Sequence, residues 1–242
     1  MTLELSIVVP AYNEEQRLLW SLMEIFHYLA GRGLAAEVIV VDDGSTDTTP
    51  QIVTQLQAHR PDLHLVSNER NRGKGFSVRR GFLEARGRLV LITDADLSTP
   101  IEEAGKLLAA LDTCDVAIGS RALDRSLITA HQSRWRELAG VAFNWTVRLL
   151  TGLPFVDTQC GFKAFRREPA RIVFEQQRIE GFGFDPEILF LAKRHGLRAV
   201  EIPVRWSHDP GSKVRVLQDG MRMVGDLLRI RWNWLVGRYA GA

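Results

Sequence analysis

Along the first half of the chain, short runs of apolar residues alternate with stretches in which apolar residues recur at helical spacing. Leu5–Val9, Glu37–Val41, Leu63–Val66, Arg88–Ile92 and Asp115–Ile118 read as strands, apolar along most of their length rather than at every second position. Between them, Glu14–Leu29 carries Leu18, Leu22, Ile25 and Leu29 on one face and reads as a helix. Thr46–Leu56, opened by Ser45 or Asp47, and Gly75–Ala85 read as two more. Strands without alternation, separated by helices, predict an α/β fold: a mainly parallel central sheet covered by helices on both faces.

The second half is less regular. It predicts a long amphipathic helix over Arg134–Leu150, strand-like segments at Gly161–Phe165 and Arg198–Val204, and a helix near Pro186–Lys193 between those segments. A last helix runs over about Val214–Trp234. No internal repeat, low-complexity tract or linker divides the chain, so residues 1–242 read as a single domain.

Ligands of such sheets gather at the carboxyl ends of the strands. Three polar clusters fall there: Tyr12-Asn13-Glu14 after the first strand, Asp42-Asp43-Gly44-Ser45 after the second, and Asp94-Ala95-Asp96 after the fourth. Two carboxylates one residue apart at a strand end can converge on a hard cation that also binds a diphosphate. The same residues, followed by Ser98-Thr99-Pro100, also suit the start of a helix at Ile101. The aspartates and hydroxyls of the second cluster can accept from a base or ribose, or serve turn chemistry alone. Asn71-Arg72-Gly73-Lys74-Gly75 is a basic, glycine-rich loop opening a helix, where phosphate docks readily. It lacks the spacing of a P-loop, and no G-x-G-x-x-G follows the first strand.

Composition narrows the field. A net charge of +2 gives no argument for nucleic acid, but from Lys213 onward six Lys/Arg face two Asp, a bias that suits an anionic surface. Cys114 and Cys160 are too few for a disulfide scaffold and match no zinc spacing, which leaves two buried, reduced thiols as the expectation. The N-terminus has no signal-peptide pattern and no segment is long and apolar enough to span a bilayer, so any membrane contact is expected to be peripheral, on the cytoplasmic face.

Taken together, Ile7-Val8-Val9-Pro10-Ala11-Tyr12-Asn13-Glu14, the Asp-Asp-Gly-Ser turn, the Asn-Arg-Gly-Lys-Gly loop and Asp94-Ala95-Asp96 resemble the family 2 glycosyltransferases of GT-A fold. Asp157-Thr158-Gln159-Cys160-Gly161-Phe162-Lys163 and Phe184-Asp185-Pro186-Glu187 look like the dolichyl-phosphate β-glucosyltransferase branch of the polyprenyl-phosphate enzymes. The similarity extends over about residues 4–230. It implies that residues 1–120 bind a nucleotide sugar, with UDP-glucose favoured, and that residues 121–242 serve the acceptor and the membrane surface. Pro10, Tyr12, Glu14, Val41 and Asp43 would hold the nucleoside, with Lys74 and Ala95 at the same site. Asp94 and Asp96 would bind Mg²⁺ or Mn²⁺ with the diphosphate. Ser98 stands where mannosyl relatives often carry a glutamine ligand. Arg121 and Arg134 would meet the acceptor phosphate, and Lys213 would belong to a closing loop that grips phosphate.

The implied reaction inverts the anomeric centre: a polyprenyl monophosphate, already anionic, attacks without a general base. Asp185 and Glu187 could touch sugar hydroxyls. For a hydroxyl acceptor, Asp185 is the candidate base. The competing readings are a GDP-mannose-dependent enzyme, a transferase to saccharide hydroxyls, a nucleotidyltransferase and a non-catalytic nucleotide-sugar sensor. Two helices argue for the membrane surface. Arg134–Leu150 carries Trp135, Trp145 and Leu149. The last helix has one stripe through Leu217, Met221, Val224, Leu228 and Trp232, and another through Met223, Leu227, Ile230 and Trp234. Packing of these stripes on the domain or on another subunit is the alternative.

Overall fold

The computed structural model describes residues 3–130, 132, 134–208 and 216–239. A seven-stranded sheet runs through it: β1 (Leu5–Ala11), β2 (Ala36–Asp42), β3 (Leu63–Ser67), β4 (Leu89–Ile92), β5 (Val116–Ser120), β7 (Lys163–Arg166) and β8 (Ala199–Pro203), in the order β3-β2-β1-β4-β7-β5-β8. A separate two-stranded sheet pairs β6 (Ile128–Ala130) with β9 (Trp206–Ser207). The predicted α/β architecture is present: β1, β2, β4 and β5 are buried along nearly their whole length, while the edge strands β3 and β8 are only partly covered.

The main departure from the sequence reading is β7. It enters between β4 and β5 and runs antiparallel to both, pairing Ile92 with Lys163 on one side and Ile118 with Lys163 on the other. Because it runs backwards, its leading end lies at the carboxyl ends of its neighbours. The Asp157–Gly161 segment is thereby delivered to the rim that carries Asp94 and Arg121.

Helices cover both faces. On one, α1 (Leu18–Arg32) packs Leu18, Leu22 and Ile25 against Ile7, Val9 and Val40. On the other, α3 (Lys74–Glu84), α6 (Arg167–Gln176) and α7 (Phe184–Arg194) share a core with Val8, Ile39 and Val90. Phe82, Phe165 and Phe174 join α3, β7 and α6, the first and last stacked at 3.7 Å and both edge-on to Phe165. The α6 helix, absent from the sequence reading, has a strongly amphipathic pattern that spans only three turns. The remaining helices are α2 (Thr49–Gln57), α4 (Ala104–Ala110), α5 (Arg134–Thr151) and α8 (Val216–Leu235).

The first helix starts four residues later than its apolar spacing suggests, for a local reason. Asn13 has a positive φ of 52°, and the segment is tied to the rim beyond β2 instead of coiling. The Asn13 amide donates to Ser45 Oγ at 2.8 Å, the Glu14 amide to Thr49 Oγ1 at 2.8 Å, and the Thr46 amide to Asn13 Oδ1 at 2.8 Å. These bonds knit the loops after β1 and β2 into one wall.

The two stripes of α8 have different fates. Leu227 and Ile230 are fully buried on the domain, whereas Met221, Leu228 and Trp232 face outward. α5 packs on α8 and likewise exposes Trp135, Trp145 and Leu149. Among the described residues no helix is long and apolar enough to cross a membrane.

Candidate active site

The carboxyl-terminal rim gathers charges that are far apart in the chain. Asp94 and Asp96 leave β4 through a turn in which Leu97 has a positive φ of 47°, a strained geometry for a branched residue. The Asp96 carboxylate caps this turn by accepting from the Ser98 amide at 2.9 Å. Lys74, the first residue of α3, reaches across the sheet and pairs with Asp94 Oδ1 at 2.5 Å. Burial works against the charge on Asp94, but Lys74, with Lys163 and Arg121 nearby, outweighs it and holds the carboxyl below its ordinary range. Asp96 moves the other way, raised by burial and by the Asp94 charge.

A glycine makes this arrangement possible. A Cβ at Gly161 would lie 2.1 Å from Asp94 Oδ2, so only a residue without a side chain lets the Asp157–Gly161 segment close over the carboxylate. Among the described residues no three His, Cys, Asp or Glu side chains are grouped to hold a metal. The Asp94–Asp96 pair suits a Mg²⁺ or Mn²⁺ ion that completes its shell with diphosphate oxygens and water.

Arg121, at the end of β5, is held by Asp157. Its Nε and Nη2 donate to the carboxylate at 2.7 and 2.8 Å, and its own amide does so at 2.9 Å. Burial disfavours the guanidinium, yet Asp157 reverses this and raises its pKa, so Arg121 stays charged. Its remaining nitrogen leaves it able to bind an anion, and Trp206 lies 5.4 Å from its Cζ. Asp157 is itself positioned by Glu201, which accepts from the amides of Val156 and Asp157 at 2.8 Å each.

The other predicted residues fall as follows. Asp43 is buried and accepts from Asn68 Nδ2 at 2.7 Å and from the amides of Arg72 and Gly73 at 2.9 and 2.7 Å, so it shapes the basic loop. Pro10, Tyr12 and Glu14 line the rim in partly exposed positions, with Glu14 paired to Arg17. Val41 is fully buried and packs under α3 at Gly81, which leaves only its backbone to face a ligand. Ala95 is also buried, and its carbonyl accepts from Ser21 Oγ at 2.6 Å. Arg134 opens α5, but its side chain is not among those described, and Lys213 lies outside the described residues.

Asp185, the candidate base for a hydroxyl acceptor, is 4% exposed and ion-paired to Lys163, itself 1% exposed, and it lies close enough to Lys74 and Asp94 for their charges to act on it. Glu187 is fully buried and accepts from backbone amides. Lys163 and the role of Asp157 were missed in the sequence. The available signal was a lysine inside the apolar run Phe162-Lys163-Ala164-Phe165, which a buried strand admits only with a partner.

A family model described as glycosyl transferase family 2 matches residues 6–174. The chain belongs to this family. Among the relatives of this glycosyltransferase, the dolichyl-phosphate β-glucosyltransferases of Drosophila melanogaster and Homo sapiens are 38% and 36% identical to it. Each alignment covers 98% of this chain, with 77% and 78% of the respective relative. That of Saccharomyces cerevisiae is 35% identical over 97% of this chain and 76% of its own length. The fold of this transferase is GT-A. Mannosyl-3-phosphoglycerate synthase from Rubrobacter xylanophilus superposes with a TM-score of 0.68 at 23% identity, covering 99% of this chain and 76% of its own. Glucosyl-3-phosphoglycerate synthase from Mycobacterium tuberculosis, in complex with Mn²⁺, UDP and glucosyl-3-phosphoglycerate, gives 0.63 at 20% identity, covering 99% and 81%.

Proposed function

We propose that this glycosyltransferase moves glucose from UDP-glucose to the phosphate of a polyprenyl monophosphate, dolichyl or undecaprenyl, with inversion and at a membrane surface. The carrying observation is the juxtaposition of the Asp94–Asp96 pair with Arg121, a guanidinium kept charged and oriented by Asp157. The names of its relatives supply the glucosyl group and the lipid phosphate.

The reaction brings two anions together. Asp94 and Asp96 would hold a divalent cation, which when bound supplies charge neutralisation to the leaving diphosphate. Lys74 stands against Asp94 with its ammonium available to a phosphate oxygen. Arg121 binds the acceptor phosphate, with Arg134 in support, and offsets its charge as it nears the donor. Since that phosphate is already ionised at neutral pH, no protein base is needed, in keeping with an Asp185 committed to Lys163. Attack opposite the leaving group turns an α-linked donor into a β-linked product. Residues up to about 120 bind the donor, while the rest bind the acceptor and present the outward faces of α5 and α8 to the headgroup layer. Exposed Trp145 and Trp232, beside Arg148 and Arg231, have the amphipathic character that suits that layer.

The test is transfer of radiolabelled sugar into an organic-extractable product from purified protein, Mn²⁺ or Mg²⁺ and a short polyprenyl phosphate. Label is expected from UDP-glucose and not from GDP-mannose. Label from GDP-mannose alone would replace the donor assignment. Transfer only to a saccharide hydroxyl would remove the phosphate acceptor.

A further inference from the structure

Glu187 lies one turn inside α7 and is fully buried. Its carboxylate accepts from the amides of Arg178 and Ile179 at 3.1 and 2.8 Å, and the Tyr239 hydroxyl donates to it at 2.6 Å. Tyr239 comes from the residues that follow α8 and is itself buried. Beside this contact the Arg178 guanidinium donates to the Arg238 carbonyl at 2.6 Å. The residues after α8 are thus fastened to Arg178 and Ile179 by side-chain bonds on both partners.

The other side of the same segment seats the basic loop of the donor half. The Phe76 amide donates to the Glu180 carbonyl at 3.1 Å, Gln177 Nε2 donates to the Gly75 carbonyl at 2.8 Å, and Arg72 pairs with Glu180. The approach is close enough to require glycine twice. A Cβ on Gly73 would lie 2.5 Å from the Glu180 carbonyl oxygen, and one on Gly75 would lie 2.5 Å from that of Ile179. Between these two glycines stands Lys74, the residue on Asp94. A continuous set of contacts therefore leads from Tyr239 through Glu187 and the Arg178–Glu180 backbone to the Lys74 ammonium.

We propose that Glu187 and Tyr239 are positioning residues for the donor: they fix the 178–181 segment on which the Lys74 loop rests, and tie that loop to the end of α8. Neither touches the reacting atoms; both act through the backbone of Gly73 and Gly75. The proposal rests on the reading of the Lys74 loop as part of a nucleotide-sugar site. It assigns the residues after α8, the helix with the outward apolar face, a part in donor binding that a simple C-terminal brace would not have.

Tyr239→Phe keeps the ring and removes only the hydroxyl, and Glu187→Gln keeps the volume of the carboxylate. Titrating each variant and the wild type with UDP and Mn²⁺ in a calorimeter should give several-fold weaker binding for Tyr239→Phe, with about tenfold as the ceiling that the loss of one hydrogen bond can transmit to the loop. In turnover assays the KM for the sugar nucleotide should rise by a similar factor, while kcat and the acceptor KM stay within about twofold. In the ligand-free protein, hydrogen exchange of the amides from Lys74 to Val78 should quicken in both variants. A variant that melts earlier but binds UDP and exchanges these amides like wild type would overturn the proposal and leave a structural brace. Wild-type protein that bound neither UDP nor GDP would overturn the donor reading and this proposal with it.

Discussion

Replacing Gly161 by alanine puts a methyl group where the Asp94 carboxylate now lies. The added Cβ would be 2.1 Å from Oδ2, 2.6 Å from Cγ and 2.7 Å from Oδ1. Gly161 has no positive φ, so the backbone itself accepts alanine and the effect is one of space alone. Asp94 is about a third exposed and can rotate, so the cost to folding falls at the low end of the ~1–3 kcal/mol typical of overpacking. Function should suffer more. Restoring ordinary contact moves the carboxylate by about 1 Å, and a shift of that size in a positioned catalytic group costs on the order of 10²-fold in rate. The assay is initial-rate transfer to polyprenyl phosphate across a Mn²⁺ titration, with a thermal melt of the same preparations. Expected are a melt close to wild type, a large fall in kcat and a weaker apparent affinity for Mn²⁺. A Gly161→Ala enzyme with kcat and metal response within about twofold of wild type would refute the placement of Asp94 at the reacting diphosphate.

Other outcomes follow from the same geometry. Asp96→Ala should abolish transfer; activity that persists with the metal chelated would end the metal role. Asp157→Asn should raise the acceptor KM by about 10–100-fold through loss of the charge-assisted grip on Arg121, with the donor KM unchanged, as two-substrate kinetics would measure. Trp145→Glu combined with Trp232→Glu should weaken the affinity for anionic vesicles, read by co-sedimentation, by about two to four orders of magnitude, each large apolar side chain contributing roughly 1.5–3 kcal/mol; unchanged binding would place the membrane face elsewhere. Burial pushes Glu187 up to about 7, against the Tyr239 hydroxyl and the amides of Ile179 and Arg178, with Asp226 adding to the rise. Its folded pKa exceeds the ordinary 4.5, so the folded chain binds this proton more tightly and stability falls as pH rises from 4.5 through about 7. Melting curves of Glu187→Gln should therefore lose less stability than wild type between those limits; identical pH profiles would refute the shift.

Elements and rim were legible in the sequence because their signals are local. The apolar runs at Leu5–Val9 and Glu37–Val41 carry the period of buried strands, and carboxylates directly after such runs must emerge at a strand's carboxyl end, which located Asp43, Asp94 and Asp96 without coordinates. Membership in a glycosyltransferase family was likewise readable in motifs that lie within short spans. The outward and inward stripes of α8 were both visible as helical periodicity, but which one the domain covers depends on the surface it meets. What the folded chain alone decided is who faces whom. An antiparallel strand of four residues, β7, brings Gly161 onto Asp94, Asp157 onto Arg121 and Lys163 onto Asp185, pairs separated by tens of residues with no spacing rule between them. Asp185 stood in the sequence as a candidate base without a visible partner, and only the fold pairs it with Lys163. Periodicity reports the environment of a residue along its own element; the partner that satisfies a buried charge is set by sheet order, and sheet order is a property of the whole core.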